Sequence, residues 1–286
     1  MITMEIKSLA NISLDTLFNS FQKAFATYEM QLEKPGLIAM LQRRGFVPEL
    51  SFAAFDGDEI VSFTFNGIDN YNGIHTAYDT GTGTLKAYQG KGLATEVFNY
   101  SIPFLKNAGI QEYLLEVLQH NTAAVSVYKK IGFLETREFY YFRQKTAAIT
   151  HSIKSTGLNY TIKPININEY RVVENFWDFK PSWQNSFASI NRFSDHFISL
   201  GVFEGNTIIG YCVFEPATGD ITQIAVDREY RRKGIGTLLF QKILESLQSD
   251  AIKIINTDIR CTSITAFLAS WHLEPAGKQY EMVKKL

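Results

Sequence analysis

Apolar positions along the chain fall into short runs broken by turn residues, and into two longer stretches with helical spacing. Over 93–109, Leu93, Val97, Phe98 and Phe104 recur toward one side and Gly109 ends the run. Pro103 inside it predicts a kink, since proline has no N–H to give the preceding turn. Over 235–247 the stripe is cleaner: Ile235, Leu238, Leu239, Ile243 and Leu247. The segments "AAFDGDEIVSFTF" (53–65) and "GVFEGNTIIGYCVF" (201–214) predict hairpins, because "DGDE" and "EGNT" sit between β-branched and aromatic runs.

These features come in the same order twice. "MEIKSL" (4–9) and "YTIKPI" (160–165) match as first strands, and "GFLETREFYYF" (132–142) and "HLEPAGKQYEM" (272–282) close the two copies. Repetition at several anchors points to a duplication into two domains, 1–146 and 158–286. The stretch around 147–157 between them is small and polar and predicts a linker. Strands interleaved with helices predict layered α/β (α+β) domains, each with a mixed sheet flanked by helices.

Composition changes this picture little. A chain of 286 residues suits two domains. With 28 Lys and Arg against 29 Asp and Glu, there is no overall charge bias toward nucleic acid or an anionic membrane. Cys212 and Cys261 have no C-x-x-C partner, so zinc and redox motifs are absent and a reducing compartment is expected. No apolar run is long enough for a signal peptide or a membrane span, and the expected location is the cytoplasm.

Both helical stretches are opened by glycine, in "AYQGKGLATEVFNY" (87–100) and "EYRRKGIGTLLFQK" (229–242). A helix N-terminus offers unpaired N–H groups and about half a positive charge, and glycine lets a phosphate come close. The glycines could equally do no more than shape a turn, and "RRK" could be a solvated charge run. A Walker loop is excluded because Gly92, not Ser or Thr, follows Lys91, and neither copy has the dinucleotide fingerprint.

Both copies do carry Q/R-x-x-G-x-G/A: Gln89, Gly92 and Ala94, then Arg231, Gly234 and Gly236. With "NTAAVSVYKKIGF" (121–133), the chain resembles the GCN5-related N-acetyltransferase (GNAT) superfamily, over nearly its whole length and as a tandem pair. The resemblance implies two acyl-CoA N-acyltransferase folds with mostly antiparallel sheets. It also implies acetyl-coenzyme A as acetyl donor and no metal. Backbone from Gln89, Gly90, Lys91, Gly92, Leu93, Ala94 and Thr95 would hold the pyrophosphate, and backbone at Thr82, Gly83 and Thr84 would line the pantetheine arm and polarise the carbonyl. Gly81 and Gly83 inside a strand point to a bulge or a close approach, or to a flexible turn.

Tyr128 would be the general acid to the departing thiolate: a phenol with pKa near 10 stays protonated where a thiol near 8.5 has begun to ionise. From periodicity alone it could be a core aromatic. Asn121 reads as a helix N-cap that could also touch the cofactor. Asp79, placed just before the pantetheine strand, and Glu116 are the candidates for the base that takes the amine proton. In the second copy Arg231, Arg232, Lys233, Gly234, Ile235, Gly236 and Thr237 repeat the loop, but Cys261 and Leu268 stand where Asn121 and Tyr128 do.

The expected protein is a tandem N-acetyltransferase in which the first copy acts and the second is degenerate or regulatory. The acceptor would be a primary amine attacking directly in a ternary complex, a small molecule in preference to a protein. A non-catalytic acyl-coenzyme A-binding or sensing protein is the alternative. Aromatic residues at 18–36 and 66–79 could wall the acceptor site or pack as core. Those at 177–193 could line the second copy's site or pack the domains together.

Overall fold

The two copies follow the element order that the pattern predicts. In the computed structural model, which describes residues 4–28, 31–149 and 160–286, the first opens with β1 (Glu5–Ser8), α1 (Leu14–Ala24), α2 (Lys34–Arg44) and β2 (Phe52–Asp56). It continues through β3 (Glu59–Tyr71), β4 (Ile74–Thr84), α3 (Leu93–Asn107), β5 (Glu112–Leu118), α4 (Thr122–Lys130) and β6 (Leu134–Lys145). The second has β7 (Thr161–Pro164), α5 (Phe187–Arg192), β8 (Ile198–Glu204), β9 (Thr207–Glu215) and β10 (Asp220–Val226). It ends with α6 (Ile235–Ser246), β11 (Ala251–Asp258), α7 (Thr262–Ala269) and β12 (Pro275–Lys285). Residues 146–148 form a 3-10 turn, and the rest of the expected linker, from 150 on, lies outside the described residues.

The compact units cut across the linear division at 146 and 158. One comprises 1–117, 121–136 and 281–286, the other 118–120 and 137–280. The cause is an exchange of closing strands. Most of β6 belongs to the second unit, where it pairs antiparallel with β11, Phe142 opposite Ile254. The end of β12 belongs to the first, where Leu286 N–H donates to Gln111 O (2.9 Å), Lys284 Nζ to Ile131 O (2.7 Å) and Thr136 Oγ1 to Glu281 O (3.2 Å).

In the first unit, β1 to β4 form an antiparallel meander and β5 lies parallel beside β4. That parallel pairing covers Thr76, Ala77 and Tyr78 of β4, and the two strands part beyond it. In the second, β7 to β10 repeat the meander, and β10 pairs with β11 at Asp220 and Lys253. The cores sit where alternation places them: Phe21, Leu37, Phe55 and Phe63 under the first sheet, Ile209, Leu239, Phe240 and Ile252 in the second.

Helix α3 corrects one expectation, the inward place of Phe104. It runs through Pro103 to Asn107; the carbonyl left without a partner is that of exposed Asn99, which water can reach. Its buried stripe is Leu93, Val97, Phe98, Ser101 and Leu105, so Phe104 is not core. Phe104 is 45% exposed and packs with Tyr100 against Phe52.

Candidate active site

The site of the first copy is set by a defect in β4. Opposite β3, Phe65 pairs with Gly81 but Asn66 pairs with Asp79, leaving Thr80 as an extra residue. A bulge shifts the phase of side-chain alternation. Asp79 and Thr82, three apart, therefore meet, and Thr82 Oγ1 donates to Asp79 Oδ2 (2.9 Å). Tyr128, on α4, donates its hydroxyl to the same oxygen (3.0 Å). The other oxygen, Asp79 Oδ1, is buried and has no hydrogen-bond partner.

Burial pushes the Asp79 carboxyl up to about 6, against the hydrogen bonds from Thr82, Tyr128 and the Gly81 backbone and the charge of Arg44, which all favour the carboxylate. Burial, then the charge of Asp79, holds the Tyr128 phenol well above its usual range. Arg44, at the end of α2, donates to Thr80 O (2.7 Å) and so pins the bulge from behind. Glu116 accepts from Tyr78 (3.0 Å). Burial and Glu116 together raise the Tyr78 phenol well above its usual value. Asp79 itself lies inside β4, not ahead of it as expected from the sequence.

Asn121 caps α4, its side chain accepting from Ala124 N–H (3.2 Å), and its amide stands 3.5 Å from the Tyr28 hydroxyl. Tyr28 packs edge-on against Phe25, which lies tilted against Phe21, so this part of the 18–36 aromatic group is half core and half rim.

The loop after β4 is bare backbone. Gly90 and Gly92 have φ of +75° and +83°, and a Cβ at either would meet nothing within 4 Å. Their left-handed backbone favours glycine, and the space beside it is open. Gly92 is the N-cap of α3 without any side-chain cap, which leaves the N–H groups of Leu93, Ala94 and Thr95 for another partner. Gln89 donates to Thr84 O (3.1 Å), and Lys91 lies over the Tyr88 ring. Gly83 is small for a different reason, since a Cβ there would stand 2.7 Å from the Phe63 ring and 3.0 Å from Ala24 Cβ. Thr84 Oγ1 is bonded to Ser62 Oγ (2.8 Å).

The second copy repeats the loop, with Gly234 at φ +87° opening α6 and Arg232 itself left-handed at +64°. Arg231 Nε donates to Val226 O (3.0 Å), the bond that Gln89 makes to Thr84. The first position of Q/R-x-x-G-x-G/A thus ties the loop to its strand. Lys233 lies over the Tyr230 ring, and Ile235 is core. Leu268, in Tyr128's place, is fully buried. The 177–193 aromatics pack within this unit: Trp177 against Phe187, and Phe193 against Phe197.

The structure brings Asp79, Thr82 and Tyr128 together, and Glu116 meets Tyr78, the residue before Asp79. Arg44 escapes sequence reasoning, because its bond to Thr80 spans 36 positions and no local pattern announces it; Tyr28 is one of the 18–36 aromatics that could wall the acceptor site. Among the described residues no cluster of His, Cys, Asp and Glu could hold a metal ion, and no helix is long and apolar enough to cross a membrane.

A meander whose fourth strand parts from the fifth, followed by a bare glycine loop into a helix, with a tyrosine bonded back to that strand, defines an acyltransferase. The model of the acetyltransferase (GNAT) family matches residues 12–133 and 164–265, and the chain belongs to that family as a tandem pair. The family uses acetyl-coenzyme A as co-substrate. N-alpha-acetyltransferase 30 of Schizosaccharomyces pombe is 33% identical over 106 residues, 36% of this chain and 71% of that protein. The uncharacterized N-acetyltransferase YobR of Bacillus subtilis is 32% identical over 91 residues, 32% of this chain and 35% of its own length. Among solved structures, the tandem GNAT protein of the clavulanic acid biosynthesis pathway superposes with a TM-score of 0.76 at 14% identity, over 99% of this chain and 98% of that one. A GCN5-related N-acetyltransferase from Sphaerobacter thermophilus gives 0.70 at 12% identity, over 99% and 95%. At such identities the likeness is one of fold.

Proposed function

We propose that the first copy transfers the acetyl group of acetyl-coenzyme A to a primary amine by direct attack in a ternary complex. The observation that carries this is the Asp79 carboxylate, one oxygen shared by Tyr128 and Thr82 and the other buried without a partner. A buried polar atom left unpaired costs on the order of 1–3 kcal/mol, a cost the fold carries at Asp79.

Bound acetyl-coenzyme A supplies a thioester carbon for the amine to attack and a thiolate to leave. Backbone at 89–95 would hold its pyrophosphate, and backbone at 82–84, beyond the reach of β5, would line the pantetheine arm. Asp79 takes the amine proton as the N–C bond forms. Tyr128 turns its O–H from Asp79 to the sulfur and gives up its proton as the C–S bond breaks. Asp79 then returns the amine's proton to Tyr128. The products are an amide and a free thiol, and both residues end as they began. The raised Tyr128 pKa keeps the donor protonated throughout the working range.

The acceptor's amine is the open choice between a small molecule and a peptide α-amine. The name of the Schizosaccharomyces pombe relative favours the latter. An α-amine, with pKa about 7.7–8.0, is neutral in roughly a tenth of molecules at pH 7, against about one in 2,500 for a lysine-like amine, and so asks less of a carboxylate base.

Tyr128→Phe tests the scheme, followed by release of free thiol with small amines and short peptides as acceptors. Turnover is expected to fall at least tenfold while acetyl-coenzyme A affinity stays within about twofold. Equal turnover in both proteins at pH 7 and pH 9 would remove Tyr128 from the chemistry. Tight binding without turnover of any acceptor would favour the non-catalytic acyl-coenzyme A-binding reading.

A further inference from the structure

The second copy carries the same glycine loop as the first, yet the space such a loop would serve is filled. We propose that residues 178–185 seal the second copy's cofactor slot, so that the chain takes up one acetyl-coenzyme A. This rests on the reading above that the cofactor lies along the Q/R-x-x-G-x-G/A loop and between the parted strands.

In the second unit β10 and β11 pair at Asp220 and Lys253 and then diverge. Asn185 stands between them. Its carbonyl accepts from Gln223 Nε2 of β10 (2.5 Å), and its own Nδ2 donates to Ile255 O of β11 (2.9 Å). A neighbour reinforces it: Ser182 Oγ accepts from Asn256 Nδ2 (2.8 Å). Counting from Gly92 and Gly234, Gln223 corresponds to Gly81 of β4. A residue with the side chain to reach Asn185 therefore stands where the first copy has none. Behind it, Gln223 Oε1 accepts from Tyr211, whose hydroxyl accepts from Trp177 Nε1. Ser182, Trp183, Gln184 and Asn185 are all buried. The wedge is thus hydrogen-bonded to both strands, as a segment built to stay in place requires.

The mouth of the slot is closed as well. Asp178 accepts from Arg231 Nη1 through both carboxylate oxygens (3.1 and 2.9 Å) and from Ser263 Oγ in the first turn of α7 (2.7 Å). Arg231 Nη2 also binds Phe176 O (2.9 Å). A carboxylate thus spans from the glycine loop to the helix that follows β11. Its charges are satisfied within the chain, which holds its pKa below the usual carboxylate range despite partial burial. A pyrophosphate arriving there would meet a fixed negative charge, and Arg231 is already bound to that charge. The Phe267 ring, 3.4 Å from where a Cβ of Gly236 would stand, covers the first turn of α6.

Calorimetric titration of the full chain with acetyl-coenzyme A, paired with Thr95→Asp, decides the matter. Thr95 is the third residue of α3, where an aspartate suits the helix but repels a pyrophosphate. One site per chain is expected, weakened at least tenfold or lost in Thr95→Asp. Hydrogen exchange on the unaltered protein should show ligand protection at 89–96 and none at 231–238. Two sites per chain, a full-strength site surviving in Thr95→Asp, or protection at 231–238 would overturn the proposal. Absence of any site would refute the reading of the first copy, while agreeing with a sealed second one.

Discussion

Asp79 is poised against its own stability. Its pKa near 6 lies above the ordinary carboxyl value of 3.8, so the folded state holds a proton that the unfolded chain releases between about pH 4 and pH 6. Stability from this group is full below pH 4 and is lost as pH rises through 6. Asp79→Asn, whose amide oxygen can still accept from Tyr128 and Thr82, should therefore unfold at a higher temperature than the parent at pH 8. The gain is about 1–2 kcal/mol once discounted for partial exposure, and it should vanish near pH 4. The same change should abolish the rise in turnover expected of the parent as pH increases through about 6. Thermal melts and rate profiles on the two proteins check both statements, and a variant no more stable at pH 8 than at pH 4 would contradict the first. Little of this was legible in the sequence. Tyr128 could be singled out because its spacing from Asn121 and Gly132 is short and local. The bond to Asp79 spans 49 positions, and no local pattern announces it.

At the scale of the element, β4 shows why the rest was hidden. Two glycines in one strand announce something unusual, and a bulge is among the readings, but its position cannot be read off the letters. The extra residue is Thr80, and it alone turns Asp79 and Thr82 to the same side. Gly83, which read equally well as a ligand approach, is small because Phe63, Ala24 and Phe25 fill the space beside it. Gly83→Ala should cost about 1–3 kcal/mol through overpacking, with acetyl-coenzyme A affinity little changed. Unaltered melting with weakened affinity would give Gly83 back to the ligand. Helix α3 carries the same lesson: a stripe read in steps of three and four put Phe104 inside, whereas Leu105 takes that place and Phe104 lies out over Tyr100. The hairpins and the glycine-opened helices, whose signals are local, stand where the pattern put them.

For the molecule as a whole, the duplication was legible and the exchange of closing strands was not, because either partner satisfies the same alternating pattern. The first unit includes 281–286, held by Leu286 to Gln111, Lys284 to Ile131 and Glu281 to Thr136. Deleting 281–286 removes these bonds, each worth about 0.5–1.5 kcal/mol. The deletion is expected to lower the melting temperature by several degrees and to speed hydrogen exchange at 111–136. Exchange there at the parental rate would show that the first unit does without them.

The exchange also bears on how the protein is made. A growing chain that has reached residue 146 holds all of the proposed catalytic residues but not the strand end that finishes their sheet. The first unit waits on the last, and a chain broken off early should carry its tyrosine and aspartate without a frame to hold them together. A gene split at the linker would yield two fragments that each need the other.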